Sequence, residues 1–179
     1  GGGIPANEVE LAFARHATSK ITSADDLFSV STLGFRGEAL ASIASVSRTS
    51  MITRAQTEND GTQIKFEGAT LVNKNVIGAP QGTVITVENL FFNVPARLKF
   101  LKSEVSERGH ISNLITRYAM AYPNVRFRLN FDNRNVFQSS GNGDLREVMI
   151  NVYGVDIARQ MIELTTDPLD FPPPPVADA

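Results

Sequence analysis

The stretch Leu33-Gly34-Phe35-Arg36-Gly37-Glu38-Ala39-Leu40 has the residue types and spacing to hold an anion. Two glycines flank an aromatic residue and an arginine, and an apolar helical pattern of Leu40, Ile43 and Ala44 starts at once. This order predicts a helix beginning inside the glycine loop, with its first backbone N–H groups unpaired. Free donors and the positive end of the helix dipole act together on an anion. Glycine lets the backbone approach a phosphate closely. The chemistry is that of a phosphate cradle. A Gly-x-x-Gly before a helix is also often only a tight turn, so the rest of the chain must decide. No Gly-Lys-Ser/Thr follows, which excludes Walker A, and no strand-like run leads into Gly34 as a dinucleotide fingerprint requires.

Other chemistry-bearing residues are sparse. His16 and His110 are the only histidines and cysteine is absent, so thiolate sites are excluded and a metal site is not expected. His16 is expected at a helix end as a hydrogen-bonded structural residue. Arg97, Lys99, Lys102 and Arg108 form the best local basic cluster, and Arg126 with Arg128 share one strand face. A solvated charged face explains both sets as well as phosphate contact does.

Several elements must position these residues. Gly1-Gly2-Gly3-Ile4-Pro5 opens with almost no side chains, as a truncated ligand loop or a cloning scar would. Val9, Ala12 and Phe13 recur at helical spacing, extended to His16. Ala17 to Gly37 makes short, weakly apolar pieces, including a short helix from Asp25 to Val30. Thr49–Arg54, Thr62–Phe66, Leu71–Ile77 and Thr83–Val87 read as strands joined by turns at Asn59-Asp60-Gly61, at Gly68 and across 78–82. Pro95 suits the first turn of a helix. Ile111, Leu114, Ile115, Tyr118, Ala119 and Tyr122 form one stripe of a longer helix ended by Pro123. Val125 to Phe131 alternates as a strand, turns at 132–135, and returns over Val136–Gln138. Two further helices are expected around 145–152 and 155–161, and 171–175 is expected as extended polyproline. The pattern implies an α+β fold, a two-layer sandwich with helices on one face of a mainly antiparallel sheet.

With 179 residues, 42% of them hydrophobic, the chain suits one globular domain, or one domain and the start of another. A formal net charge of −2 gives no global basic field, so any nucleic-acid contact must be local. No apolar run approaches the roughly 20 residues that span a bilayer, and no signal peptide is visible. A soluble, cytoplasmic protein without membrane contact is the expectation.

Gly1-x-Gly3-Ile4-Pro5, Ala14-Arg15-His16-Ala17-Thr18-Ser19-Lys20-Ile21, Leu33 to Leu40 and Asn93-Val94-Pro95-Ala96-Arg97-Leu98-Lys99-Phe100-Leu101 occur here in that order. Together, from residue 1 to about Leu164, they resemble the N-terminal ATPase region of the MutL family of DNA mismatch repair proteins. The resemblance implies the Bergerat fold shared with gyrase, a heat-shock chaperone and sensor histidine kinases (the GHKL group). Residues 1–140 would be a partial ATPase domain, lacking its first helix and strand. Residues 141–179 would be a linker and the beginning of a second domain.

By that resemblance Gly1, Gly3 and Ile4 lie beside the adenine, and Thr18, Ser19 and Lys20 begin a lid. Gly34, Phe35, Arg36, Gly37 and Glu38 meet the triphosphate, and Thr83 helps hold the adenine edge. A β-favouring residue on a strand is an equally good account of Thr83. The family's general-base glutamate, its Mg²⁺-binding asparagine and its adenine-binding aspartate would all precede residue 1. Glu8, Glu10 and Glu38 do not replace them, so the resemblance implies an ATPase fragment inactive on its own. For the parent protein it implies a switch that uses ATP and Mg²⁺, closes as a homodimer, and works with a MutS-type mismatch-recognition protein. DNA would be contacted through basic patches such as Arg97, Lys99 and Lys102. A non-catalytic docking module of a repair complex is the alternative. Another ATPase of the same group, a topoisomerase or a kinase, fits the segments at 14–21 and 93–101 less well.

Overall fold

The computed structural model describes residues 1–15 and 37–162. The chain divides into two compact units, Gly1–Leu101 and Lys102–Ala179.

Alternation builds the first unit. β1 (Arg48–Arg54) pairs antiparallel with β2 (Gly61–Glu67) on one side and β4 (Gly82–Glu88) on the other, and β3 (Thr70–Ile77) pairs outside β2. The sheet order is therefore β3-β2-β1-β4. Thr49, Met51 and Thr53 of β1 are buried while the residues between them are not. In a strand, that period of two means one covered face. Met51 faces Ile64 in register, and both are fully buried.

The cover comes from α1 (Ala39–Ser45) and a 3₁₀ turn at Leu11–Phe13, which bring Ala44, Val9 and Phe13 onto Met51 and Ile64. The Phe13 and Phe66 rings meet at 4.4 Å between centroids. Burying side chains of this size stabilises by about 1.5–3 kcal/mol each. The cover stops short of β4. Thr83, Ile85 and Val87 stand in register with Thr53, Met51 and Thr49, yet Ile85 and Val87 remain 44% and 43% exposed. The described residues leave this end of the face only partly covered.

The chain before α1 departs from the expected helix over Val9–His16. Its helical bonds are local, from Ala12 N to Glu8 O and from Phe13 N to Glu10 O, and no side chain caps the turn. Short turns already bury Val9 and Phe13, so the spacing that suggested a long helix is satisfied without one. His16, the segment from Ala17 to Arg36 and the proline run at 172–175 lie outside the described residues.

After β4, a loop tied by Phe91 N to Val46 O (2.6 Å) and Asn93 Nδ2 to Ser45 O (2.9 Å) leads into α2 (Pro95–Leu98). Proline occupies its first turn, as expected. The helix is a single turn, so Lys99 caps it rather than extending it.

In the second unit, α3 (Glu104–Ala121) starts at Ser103, whose side chain accepts from Ser106 N. The hairpin of β5 (Arg128–Phe131) and β6 (Arg134–Gln138) turns at Asp132 and Asn133, both at positive φ. Two such residues are what a type I′ turn requires. Ala119, Phe137 and Val148 form the core, with α4 (Leu145–Tyr153) supplying the last. α5 (Val155–Gln160) packs on α4. The strand expected from Val125 begins only at Arg128. Ser139 explains this, because its hydroxyl accepts from Phe127 N at 3.0 Å and takes a ladder partner's place.

Candidate functional site

The open end of the first sheet is built around the start of the chain. Gly3 has φ +78 and lies where a β-carbon would be driven into the Arg54 carbonyl. Only glycine fits there without displacing β1. Gln56 N donates to Gly2 O at 3.2 Å, and Ala6 N donates to Glu58 Oε1 at 2.9 Å. Arg54 braces the same corner by donating from Nε to Ala79 O and from its terminal nitrogen to Glu58 O. Residues 2–6 are thereby fixed along the end of β1.

Thr53 links this segment to β4. Its Oγ1 accepts from Ile4 N at 2.8 Å, lies 3.1 Å from Gly82 O and 2.8 Å from Thr83 Oγ1. Thr53 itself is 1% exposed, whereas Thr83 is exposed. Gly82 lies beside the Gly1 carbonyl. The structure therefore brings Gly1, Gly3, Ile4 and Thr83 to one place, on the sheet face that the helices leave open. An exposed hydroxyl over a fixed backbone, next to uncovered Ile85 and Val87, can take a flat ring with a polar edge.

Gly37 and Glu38 sit at the start of α1. Gly37 has φ +63 and Glu38 is the residue before the first helical turn. Thr18, Ser19, Lys20, Gly34, Phe35 and Arg36 lie outside the described residues. Among the described residues, no three His, Cys, Asp or Glu side chains gather as a metal site would need.

The basic cluster falls across the boundary between the two units. Arg97 and Lys99 lie at α2 with exposed side chains, while Lys102 begins the second unit. Arg108 is already engaged by carboxylates. It donates to Asp132 Oδ2 at 2.6 Å and to Glu104, and its guanidinium lies 5.2 Å from the Phe131 ring centre. The hydrogen bond to Asp132, above all, holds Arg108 above the ordinary arginine range.

Thr53 is the residue that sequence reasoning missed. A threonine on a strand reads as β propensity alone. Its one sequence signal is parity, since it shares the buried face with Thr49 and Met51 where an apolar residue would ordinarily stand.

No protein-family model matches the chain. It is 51% identical over 171 residues, 96% of its length, to the DNA mismatch repair protein MutL of Shouchella clausii. It is 50% identical over 164 residues, 92% of its length, to the protein of the same name from Desulforamulus reducens. Each match covers 26% of the relative, so the chain spans about a quarter of the length of these curated relatives. Among solved structures, the Aquifex aeolicus MutL ATPase domain complexed with ADP is similar with a TM-score of 0.62 and 34% identity. That likeness covers 74% of this chain and 52% of that one.

Proposed function

The chain belongs to the MutL family of DNA mismatch repair proteins, and from that premise we propose that it forms part of an ATP-binding molecular switch in mismatch repair. The observation that carries the reading is the cluster of Gly3, Ile4, Thr53 and Thr83 on the open face of the sheet. Gly1, Gly3 and Ile4 line the base as fixed backbone, and Thr83 meets its edge with a hydroxyl. Gly37 and Glu38, with Gly34, Phe35, Arg36, Thr18, Ser19 and Lys20, serve the triphosphate. That assignment rests on the motif order and on the solved relative that holds ADP.

ATP supplies a phosphoanhydride bond, and Mg²⁺ would accompany its phosphates. Among the described residues, no three His, Cys, Asp or Glu side chains gather to hold that ion by themselves. What this chain's own residues do is bind and orient. In the same reading, residues 1–140 are part of an ATPase domain and residues 141–179 lead into the next. The full-length protein works in the cytoplasm as a homodimer with a MutS-type partner, and Arg97, Lys99 and Lys102 contact DNA phosphates.

Isothermal titration of the chain with ATP and with ADP, each with Mg²⁺, tests the nucleotide reading. Saturable binding of both, lost in Gly3→Val, is expected. Heats indistinguishable from dilution for both nucleotides would remove it.

A further inference from the structure

We infer that Asn142–Gly143 is a latent deamidation site, kept inert while the loop ahead of α4 is closed and converted once that loop opens. It is the one Asn-Gly pair in the chain. In such a pair the glycine nitrogen can attack the asparagine side-chain amide, because no β-carbon shields it. The bond from Gly143 N to Asn142 Cγ forms and the Cγ–Nδ2 bond breaks. The amide group leaves as ammonia, taking with it the proton lost by Gly143 N. Water then opens the cyclic imide at either carbonyl, leaving an aspartyl or an isoaspartyl residue. Both residues are exposed, so the water is at hand.

The turn depends on this pair. Gly143 has φ +86, in the left-handed region that side chains resist. Asn142 uses both ends of its amide: Oδ1 accepts from Asp144 N at 2.9 Å, and Nδ2 donates to Glu147 Oε2 at 2.7 Å. An ionised carboxylate in its place has no proton for the second bond.

The closed loop restrains every reacting atom. Gly143 N donates to Pro123 O at 3.1 Å, so the nucleophile is tied through the proton it must lose. The carbonyl oxygen accepts that bond but does not take the proton away. The bonds to Asp144 and Glu147 hold the side-chain amide at both ends, so its carbon is not free to turn onto the Gly143 nitrogen. The Asp144 N–H alone would polarise the amide towards attack. A fixed carbon beside a nucleophile that keeps its proton outweighs that effect. Reaction therefore waits for an opening that parts Gly143 from Pro123, and its rate follows the open fraction. The acid then formed cannot donate to Glu147 and meets it as a like charge, so the loop does not close again in the same form.

The test incubates wild-type chain and a synthetic peptide of residues 139–147 in the same mildly alkaline buffer, with peptide mapping by mass spectrometry to score acid at position 142. The chain should convert about tenfold more slowly than the peptide, or slower still, as expected for a minor open state. Glu147→Ala frees Nδ2 but keeps the Asn-Gly pair and the backbone bond to Asp144, and should convert faster than wild type. Glu147→Gln keeps an acceptor and should stay slow. Asn142→Asp should speed hydrogen exchange in the first turn of α4. Conversion of wild-type chain at the peptide's rate overturns the inference, as does Glu147→Ala converting no faster than wild type. Wild-type exchange in Asn142→Asp overturns the claim that the product cannot close.

Discussion

Gly3 lies so close to the Arg54 carbonyl that a β-carbon on it would overlap the oxygen. This contact sets the path of the chain's first residues. With Gly3 at φ +78, Ile4 arrives with its N–H on Thr53, and Gly1 comes beside Gly82. The backbone of residues 1–4 and the hydroxyl of Thr83 are thus two sides of one corner, held by β1 between them.

Gly3→Ala should disrupt that corner twice over, by the overlap with Arg54 and by a φ that alanine resists. Strain of this kind costs about 1–3 kcal/mol. The segment can relieve it by lifting away from β1, so the loss of unfolding free energy in urea should fall at the lower end. Nucleotide affinity should fall further than stability does. A variant with wild-type melting and wild-type affinity would show that the segment is not held there.

Much of the sheet was legible because Thr62, Ile64 and Phe66 alternate with Gln63, Lys65 and Glu67, and because Asn59-Asp60 marks a turn just ahead of β2, although Gly61 already pairs as the first residue of that strand. α3 was legible from its stripe and from Pro123. The short turns around Val9 and the late start of β5 were not. In both places a non-local contact replaces a regular element: the core under Phe13 in one, the Ser139 hydroxyl on Phe127 in the other. The Thr53–Thr83 pair was hidden for the same reason. It depends on the register of β1 against β4, which brings together residues thirty positions apart. Local pattern carries no record of register between strands.

Ile64→Ala should lower the unfolding free energy by about 2–5 kcal/mol, because a fully buried side chain leaves a cavity between Met51 and the helices. Val76→Ala on β3, where the side chain is 75% exposed, should change it by less than about 0.5 kcal/mol. Urea denaturation followed by circular dichroism compares the two directly. Similar losses would mean that the sheet face covered by α1 is not the core.

Asp144→Ala should cost about 1 kcal/mol, since the Asp144 carboxylate accepts from Glu147 N at 3.1 Å and caps α4. Asp144→Asn should retain most of that contribution. Val148 on α4 belongs to the second unit's core, so loosening the helix start should also expose that core. Hydrogen exchange at residues 146–150 reads the effect locally, and unchanged protection in Asp144→Ala would argue against the cap.

DNA contact, if carried by α2, must come from a local patch, because the chain as a whole bears a formal charge of −2. Arg97 and Lys99 are exposed, and among the described residues no carboxylate engages them as Asp132 and Glu104 engage Arg108. Each phosphate contact releases counterions, so removing one should lower the slope of log affinity against log salt by about 1. Arg97→Glu should therefore reduce both affinity and slope when binding to a DNA duplex is followed by anisotropy between about 50 and 200 mM salt. Arg108→Gln should leave the slope unchanged, since its guanidinium is already paired with Asp132 and Glu104 and stacked near Phe131. Equal slopes in wild-type and Arg97→Glu would make α2 an ordinary solvated surface, and a lower slope in Arg108→Gln alone would move the contact into the second unit.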